Sequence, residues 1–173
     1  GTTAPTVAKT LIEGFARYTP QERVLMINCD GASQDGTPDL VRQAVGEGAR
    51  FWSIQHPVIG PSLHIVSESG VPGRDAAVRI LATIADRLDA KVCLVVDGNL
   101  KSVDLRWAEW LTTPIFKNGM DCILPQFSRN RYEGTLTSTL LAPLTSTLYG
   151  KRVAYHQGGA YAFSLSFIRS LLL

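Results

Sequence analysis

The segment LVVDGN, residues 94–99, ends an apolar run with a carboxylate and an amide two positions apart. Carboxylate and amide oxygens are hard ligands, suited to a divalent cation that bridges the phosphates of a nucleotide. If strand geometry persists through Gly98, the side chains of Asp97 and Asn99 face the same side. The pattern is therefore compatible with a metal site at Asp97 and Asn99, but on these residues alone a simple polar turn is the favoured interpretation.

Two other polar loops carry groups that could bind a nucleotide. Asp30 ends the run RVLMINCD, and a carboxylate at a strand end can accept a hydrogen bond from a nucleobase N–H or a ribose hydroxyl. In the loop SGVPGRD, Gly73 permits close backbone approach, and Arg74 stands at a helix start that favours an anion such as a diphosphate. An ordinary turn over 31–37 and a solvated Arg74 remain open as simpler interpretations.

Four apolar runs predict the strands that must position these groups, at 24–28, 51–55, 92–96 and 121–126. Helical patterns lie around them, at 7–15, from Thr37 as N-cap with Pro38 at the first helical position, at 76–88, and at 104–116 with an end near Pro114. Strands that are apolar throughout and alternate with helices indicate a three-layer α/β/α fold with a mostly parallel sheet. Ligands bind at the carboxyl edge of such sheets, so Asp30, Arg74 and Asp97 are expected to line one cleft.

The composition disfavours several function classes. A chain of 173 residues, 45% of them hydrophobic, fits one globular domain. The formal charge is only +2 and no basic stripe is visible, so a nucleic-acid partner is not expected. No apolar run approaches the roughly 20 residues of a transmembrane segment. Three cysteines without metal-ligand spacing predict free thiols and a reducing, cytoplasmic location.

The order and spacing of these loops raise a family resemblance. DGASQDGT (30–37), GVPGRDAAVR (70–79) and LVVDGN (94–99) resemble the donor-binding half of a GT-A-fold glycosyltransferase. The pattern is similar to the glucosyl- and mannosyl-3-phosphoglycerate synthase family and to family 2-like glycosyltransferases, and it continues in RNRYEGT (129–135) and QGGAYAFS (157–164). The resemblance implies a single GT-A-like domain over 1–173, without the usual first strand and the C-terminal acceptor segment.

The resemblance also implies a function. A sugar would move from a UDP- or GDP-linked donor to a small, phosphorylated or carboxylated acceptor, with help from Mg²⁺ or Mn²⁺. Donor contacts would come from Asp30, Gly73, Arg74 and Asp97, and Asp97 would also be the catalytic metal ligand beside Asn99. The residues implied on the acceptor or sugar side are Arg129, Tyr132, Thr135, Gly158 and Gly159.

Three positions depart from the family pattern and keep other functions open, the first being Asp75, where a small residue would be more usual. Asn99 stands where the family usually has a second aspartate, and Ala160 stands where an acidic residue is more usual. A non-catalytic nucleotide-sugar-binding or interaction domain with a degenerate site is therefore the second hypothesis. A nucleotidyltransferase is the third, disfavoured because no glycine-rich basic loop follows the first visible strand. The sequence leaves the oligomeric state open, a homodimer included.

Overall fold

The computed structural model describes residues 3–31, 33–55, 74–127, 137–150 and 159–172. The helices are α1 (Thr3–Tyr18), α2 (Thr37–Val45), α3 (Arg74–Arg87), α4 (Trp107–Asn118), α5 (Ala142–Tyr149) and α6 (Leu165–Leu172), and a π-helical segment, Thr137–Leu141, leads into α5. The strands are β1 (Leu25–Asp30), β2 (Arg50–Gln55), β3 (Val92–Val96), β4 (Cys122–Ile123) and β5 (Ala160–Ser164). No helix within these ranges is long and apolar enough to cross a membrane.

The strands form two hydrogen-bonded groups. β1 and β2 are parallel, in a register that runs from Leu25 opposite Arg50 to Asp30 opposite Gln55. β5 lies between β3 and β4 and is antiparallel to both, so β3 and β4 run in the same direction. The four predicted strands are present, although β4 has only two residues. β5 was not predicted, because its residues were interpreted as part of a Gly-Gly turn.

Helices cover the strands on two sides, as the predicted three-layer α/β/α fold requires. α1 packs against α2 and α4, whereas α3 packs against α6 and touches both β1 and β3. The main apolar core joins α1, α4 and β5; its buried members are Val7, Leu11, Trp107, Leu111, Ile115, Ala160 and Ala162. The apolar spacing predicted for α1 is therefore the face that this helix buries.

Two predicted helix ends are wrong. α4 does not stop near Pro114 but continues to Asn118, where Gly119 follows in the left-handed conformation at φ 63°. A proline in a helix removes one hydrogen bond. The neighbouring Leu111 and Ile115 are buried in the core, and their packing offsets that loss. α2 begins at Thr37 itself, so the capping position belongs to Gly36, which has a φ of 70°.

Candidate functional site at the carboxyl ends of β1 and β3

Asp30 and Asp97 line the same cavity, which lies between β1 and β3 and has a volume of about 1270 Å³. Asp30 is the last residue of β1 and is buried, and Asp97 directly follows β3 and is half-buried. Gly31, Ser33 and Gly98 line the cavity at the same end. Two carboxylates from separate parts of the chain thus line one cavity, and each lies at the carboxyl end of its strand.

The position of Asp30 is set by its own loop. Its Oδ2 accepts a hydrogen bond from the backbone N–H of Ser33 at 2.8 Å. This is the turn-forming role of a short acidic side chain, and it fixes the carboxylate at the mouth of the strand. Each carboxylate oxygen has two lone pairs, so a carboxylate in a turn can also accept hydrogen bonds from a ligand.

The second acidic residue of this loop has a structural role. Asp35 Oδ1 accepts hydrogen bonds from the backbone N–H of Thr37, at 3.1 Å, and from the Thr37 hydroxyl. The Thr37 hydroxyl, followed by other hydrogen bonds, holds the pKa of Asp35 well below its usual range. Asp35 therefore organises the start of α2, the simpler of the two interpretations given to this part of the loop.

Asp97 is positioned by a distant part of the chain. Its N–H donates to the carbonyl oxygen of Gly159 at 2.7 Å, which ties the end of β3 to the residue before β5. Its own carbonyl accepts from the N–H of Leu100 at 3.3 Å and closes a turn over Gly98 and Asn99. β3 thus ends at Val96, and strand geometry does not persist through Gly98. The condition for placing Asp97 and Asn99 on one side is therefore not met, and Asn99 is exposed in the turn.

Two glycines allow this junction to pack closely. A Cβ at Gly159 would lie 2.8 Å from Leu100 Cδ2, so a larger residue would displace the Leu100 side chain. A Cβ at Gly98 would lie 3.0 Å from Ala4 Cβ, at the first turn of α1. The DGN turn, the start of β5 and the start of α1 therefore meet at one point.

Ala160 belongs to the core and not to the cleft surface. It is fully buried, pairs with Val96 across β3 and β5, and packs in the cluster that contains Val7 and Leu11. An acidic side chain at this position would be buried among apolar groups, which costs several kcal/mol unless it is paired. The absence of an acidic residue at position 160 thus has a packing reason in this chain.

Several predicted site residues lie outside the described part of the chain. These are Gly73, Arg129, Tyr132, Thr135 and Gly158. The backbone of Arg74 begins α3, as predicted, but its side chain is outside the described set. The contribution of Leu100 was missed, because nothing in the sequence links it to a glycine 59 positions later.

The chain resembles solved structures much more than it resembles known sequences. No protein-family model matches it, and no curated protein matches it by sequence. A glucosyl-3-phosphoglycerate synthase from Mycobacterium tuberculosis, solved with Mn²⁺, UDP and glucosyl-3-phosphoglycerate, superposes with a TM-score of 0.63 at 19% identity, over 95% of this chain and 54% of that one. A structure of the same synthase with Mn²⁺, UDP-glucose and phosphoglyceric acid gives the same values. A further mycobacterial protein gives a TM-score of 0.63 at 21% identity, over 94% of this chain and 50% of that one.

The chain has the GT-A fold. It spans about half the length of the solved structures that it matches. In this GT-A fold the cavity lined by Asp30 and Asp97 reaches the carboxyl ends of β1 and β3, the edge at which open α/β sheets bind ligands.

The side chains at this edge supply only some of the ligands that a divalent cation needs. Within the described ranges, no group of three or more His, Cys, Asp and Glu side chains could hold a metal ion. Burial raises the pKa of the Cys93 thiol to about 11 and is the main cause that raises the pKa of Cys29, so both free thiols are protonated near neutral pH. Asp97 is the half-buried oxygen donor at the mouth of β3. Mg²⁺ commonly binds through one or two carboxylates together with substrate phosphates, and Asp97 fits that arrangement.

Proposed function

We propose that this chain binds a nucleotide-diphospho-sugar, UDP- or GDP-linked, and forms the donor half of a glycosyltransferase. The observation that carries the proposal is the meeting of Asp30 and Asp97 in one cavity at the carboxyl edge of a GT-A fold. Solved structures with this fold include a synthase bound to UDP-glucose and Mn²⁺. The acceptor is a small molecule with a phosphate or a carboxylate.

Asp30 is assigned to the nucleoside end of the donor. Its carboxylate is buried and held by the Ser33 N–H, so it is pre-organised to accept a hydrogen bond from a base N–H or a ribose hydroxyl. Hydrogen bonds to charged groups contribute roughly 1.5–3 kcal/mol, and a buried acceptor left without its partner costs a comparable amount. Asp30 therefore favours a nucleoside over a bare diphosphate.

Arg74 and Asp97 are assigned to the diphosphate. Arg74 begins α3, where backbone N–H groups and the helix dipole favour an anion. Asp97, with Asn99 as a weaker neighbour, would hold Mn²⁺ or Mg²⁺ together with the donor phosphates. A cation bound there would offset the negative charge that develops on the leaving nucleoside diphosphate. In this sense Asp97 is the catalytic residue, and no side-chain nucleophile is required.

Acceptor and sugar contacts are assigned to the later loops. Arg129 and Arg131 carry guanidinium groups that match phosphate or carboxylate oxygens, with Tyr132 and Thr135 close in sequence. Gly158 and Gly159 would leave room for the transferred sugar. The hydrogen bond from Asp97 N–H to the Gly159 carbonyl supports the assignment of Gly159, because it brings this glycine next to the residue assigned to the diphosphate.

A thermal-shift panel tests donor binding directly. UDP, GDP, ADP and their sugars are added one at a time, each with and without Mn²⁺, to the wild type, Asp30→Ala and Asp39→Ala. A ligand at 100 times its Kd stabilises the folded chain by about 2.7 kcal/mol. Asp39 is an exposed residue of α2, so Asp39→Ala serves as the control. We expect one nucleotide sugar to raise the Tm of the wild type and of Asp39→Ala, but not the Tm of Asp30→Ala. No shift with any nucleotide would contradict the proposal.

A non-catalytic nucleotide-sugar-binding domain is the second candidate, and Asn99 is the observation that favours it. An exposed amide in a turn is a poorer cation ligand than the second carboxylate usual in this position. The two candidates differ in turnover. Donor-dependent stabilisation without hydrolysis of the nucleotide sugar, and without transfer to phosphoglycerate, would support the binding domain over the enzyme.

A further inference from the structure

Leu100 is the only apolar side chain in the polar turn that begins at Asp97. The segment from Asp97 to Ser102 otherwise contains the acidic residue itself, a glycine, an amide, a lysine and a serine. The Leu100 side chain is half-buried and packs against the main apolar core, as do Val96 before the turn and Val103 after it. Leu100 therefore anchors the turn to the interior of the domain.

The branched end of Leu100 lies over Gly159. A Cβ atom on Gly159 would lie 2.8 Å from Leu100 Cδ2 and 3.0 Å from both Cδ1 and Cγ. Leu100 thus occupies the space into which any larger residue at position 159 would place its first side-chain atom. Gly159 is not among the described glycines with a positive φ, so this contact, and not the backbone conformation, calls for a glycine.

The same glycine holds the backbone of Asp97. The Gly159 carbonyl accepts a hydrogen bond from the Asp97 N–H at 2.7 Å, and the Asp97 carbonyl accepts one from the Leu100 N–H at 3.3 Å. Leu100 therefore contacts both partners of the shorter hydrogen bond, one through its backbone and the other through its side chain. An apolar group beside a hydrogen bond lowers the local dielectric and keeps competing water away, which strengthens the bond.

The position of the Asp97 carboxylate depends on this backbone, because a single methylene group separates the two. A rotation of the peptide at the end of β3 would displace the carboxylate oxygens with it. A cation such as Mg²⁺ requires ligand oxygens at about 2.0–2.1 Å in nearly ideal geometry. Loss of a group that orients a metal ligand typically lowers metal affinity about 10- to 100-fold.

We propose that Leu100 is a positioning residue for the cation site: its side chain holds Gly159 against the end of β3 and so keeps the Asp97 carboxylate in place. This role rests on the proposed function, because it takes Asp97 as the cation ligand. It also requires that positions 100 and 159 match in size, with a branched side chain at one and none at the other. A leucine that only filled the core would need no such match.

Amide hydrogen exchange tests the positioning without any nucleotide or metal. The readout is the exchange rate of the Asp97 N–H divided by that of the Ser164 N–H, which is hydrogen-bonded at the other end of β5. Leu100→Ala should raise this ratio about tenfold, because it opens the hydrogen bond at Asp97 locally. The control Leu111→Ala truncates a buried leucine of the same core, on α4, and should leave the ratio unchanged.

A change of size at both positions provides the rescue. Gly159→Ala alone should also raise the exchange ratio, because its Cβ displaces the Leu100 side chain. In the double variant Leu100→Ala/Gly159→Ala, the new methyl group enters the space that the leucine leaves, so the ratio should fall below that of either single variant. If Leu100→Ala does not fold, Leu100→Met keeps the side-chain volume without the branch and should raise the ratio in its place.

Mn²⁺ titrations in the presence of UDP or GDP extend the test to the cation. These nucleotides carry no sugar, so the space beside Gly159 that a sugar would need does not affect the result. Leu100→Ala should weaken Mn²⁺ binding about 10- to 100-fold, Leu111→Ala should leave it unchanged, and the double variant should recover part of the loss. Absence of Mn²⁺ binding in the wild type would contradict the proposed function, while the exchange ratio still decides whether Leu100 holds Asp97.

Three outcomes would overturn the positioning role. The first is an exchange ratio that Leu100→Ala leaves unchanged, or that Leu111→Ala raises equally, because Leu100 would then support only the core. The second is a double variant in which the effects of the two single changes multiply, because the two positions would then be independent. The third is a raised exchange ratio without weaker Mn²⁺ binding, because the cation would then not depend on the position of Asp97.

Discussion

The β1–β2 pair and the β3–β5–β4 group position their carboxylates in different ways. Asp30, at the end of β1, is held by the N–H of Ser33, three residues later. Asp97, at the end of β3, is held through Gly159, which lies 62 residues later and precedes β5. One carboxylate therefore depends on its own loop, and the other depends on the pairing of a distant antiparallel strand.

This difference separates the two functions assigned to the cleft. Asp30 keeps its place whenever β1 and its loop form, because its hydrogen bond is local. Asp97 keeps its place only when β5 is inserted between β3 and β4. Metal and diphosphate binding should therefore be more sensitive to changes in β5 than nucleoside binding is. The predictions below change β5, the diphosphate side and the metal side of the cleft separately.

The largest effect is expected from Ala162→Asp, which breaks β5. Ala162 is fully buried in β5 and pairs with Leu94 and Ile123. An unpaired carboxylate there should lower the free energy of unfolding by roughly 3 kcal/mol or more. Chemical denaturation measures the loss. The control is Ala76→Asp, at an exposed position in the first turn of α3 where an acidic residue is tolerated. An equal loss of unfolding free energy in both variants would contradict the importance of burial in β5.

Arg74→Ala should weaken nucleoside diphosphate binding about 10- to 100-fold, as expected for the loss of a charge-assisted hydrogen bond. Nucleoside binding, which depends on Asp30, should change little. Calorimetry with UDP and uridine, or with GDP and guanosine, gives the two values. Arg79→Ala, an exposed position on the same helix, is the control. Equal losses for nucleoside and diphosphate would point to a structural role of Arg74.

Asp97→Ala and Asn99→Asp should change metal-linked donor binding in opposite directions. Removing the Asp97 carboxylate should abolish the Mn²⁺ dependence, and a second carboxylate at position 99 should tighten Mn²⁺ on the order of tenfold. Mn²⁺ titrations at fixed nucleotide sugar measure both. The control Asn118→Asp adds the same charge at the exposed end of α4 and should leave Mn²⁺ binding unchanged. Identical Mn²⁺ titration curves for the wild type and both site variants would contradict a metal site at Asp97 and Asn99.

The smallest effect concerns acid stability of the β5 region. The hydroxyls of Ser164 and Ser166 each donate to Asp121 Oδ1 at 2.8 Å, and they lower the pKa of Asp121 below its usual value of 3.8. A lowered pKa stabilises the folded state above pH 3.8, and that contribution is lost as the pH falls through the lower, folded-state pKa. Asp121→Asn should therefore flatten the dependence of Tm on pH below about 4. If Asp121→Asn leaves the dependence of Tm on pH unchanged in this range, these hydrogen bonds do not contribute to the stability of the folded chain.

The sequence predicted the parts of the fold that depend on local pattern. The runs around Met26, Phe51 and Leu94 are apolar enough to be recognised as strands without knowledge of their partners. The placement of Asp30 at a strand end followed directly from that. α3 was predicted from its apolar stripe, and Arg74 indeed begins it.

The parts that were missed depend on distant contacts. AYAFS forms a strand because β3 and β4 pair with it on both sides, and neither pairing is visible in its own five residues. α5 and α6 are eight residues each, a length at which tertiary packing decides helix formation more than the local sequence does. The polar turn over Gly98 and Asn99 was one of the two interpretations of the sequence, but its contacts to Leu100 and to the distant Gly159 were not predicted.

Cys93 gives the cavity a chemical reporter. Its thiol lines the space between β1 and β3, and burial raises its pKa to about 11. Only the thiolate reacts rapidly with an alkylating reagent, so at neutral pH nearly all of Cys93 is in the unreactive form. At a fixed pH, its labelling rate therefore reports how accessible the partly buried thiol is from the cavity. Any group that seals the space beside β3 should slow the labelling of Cys93.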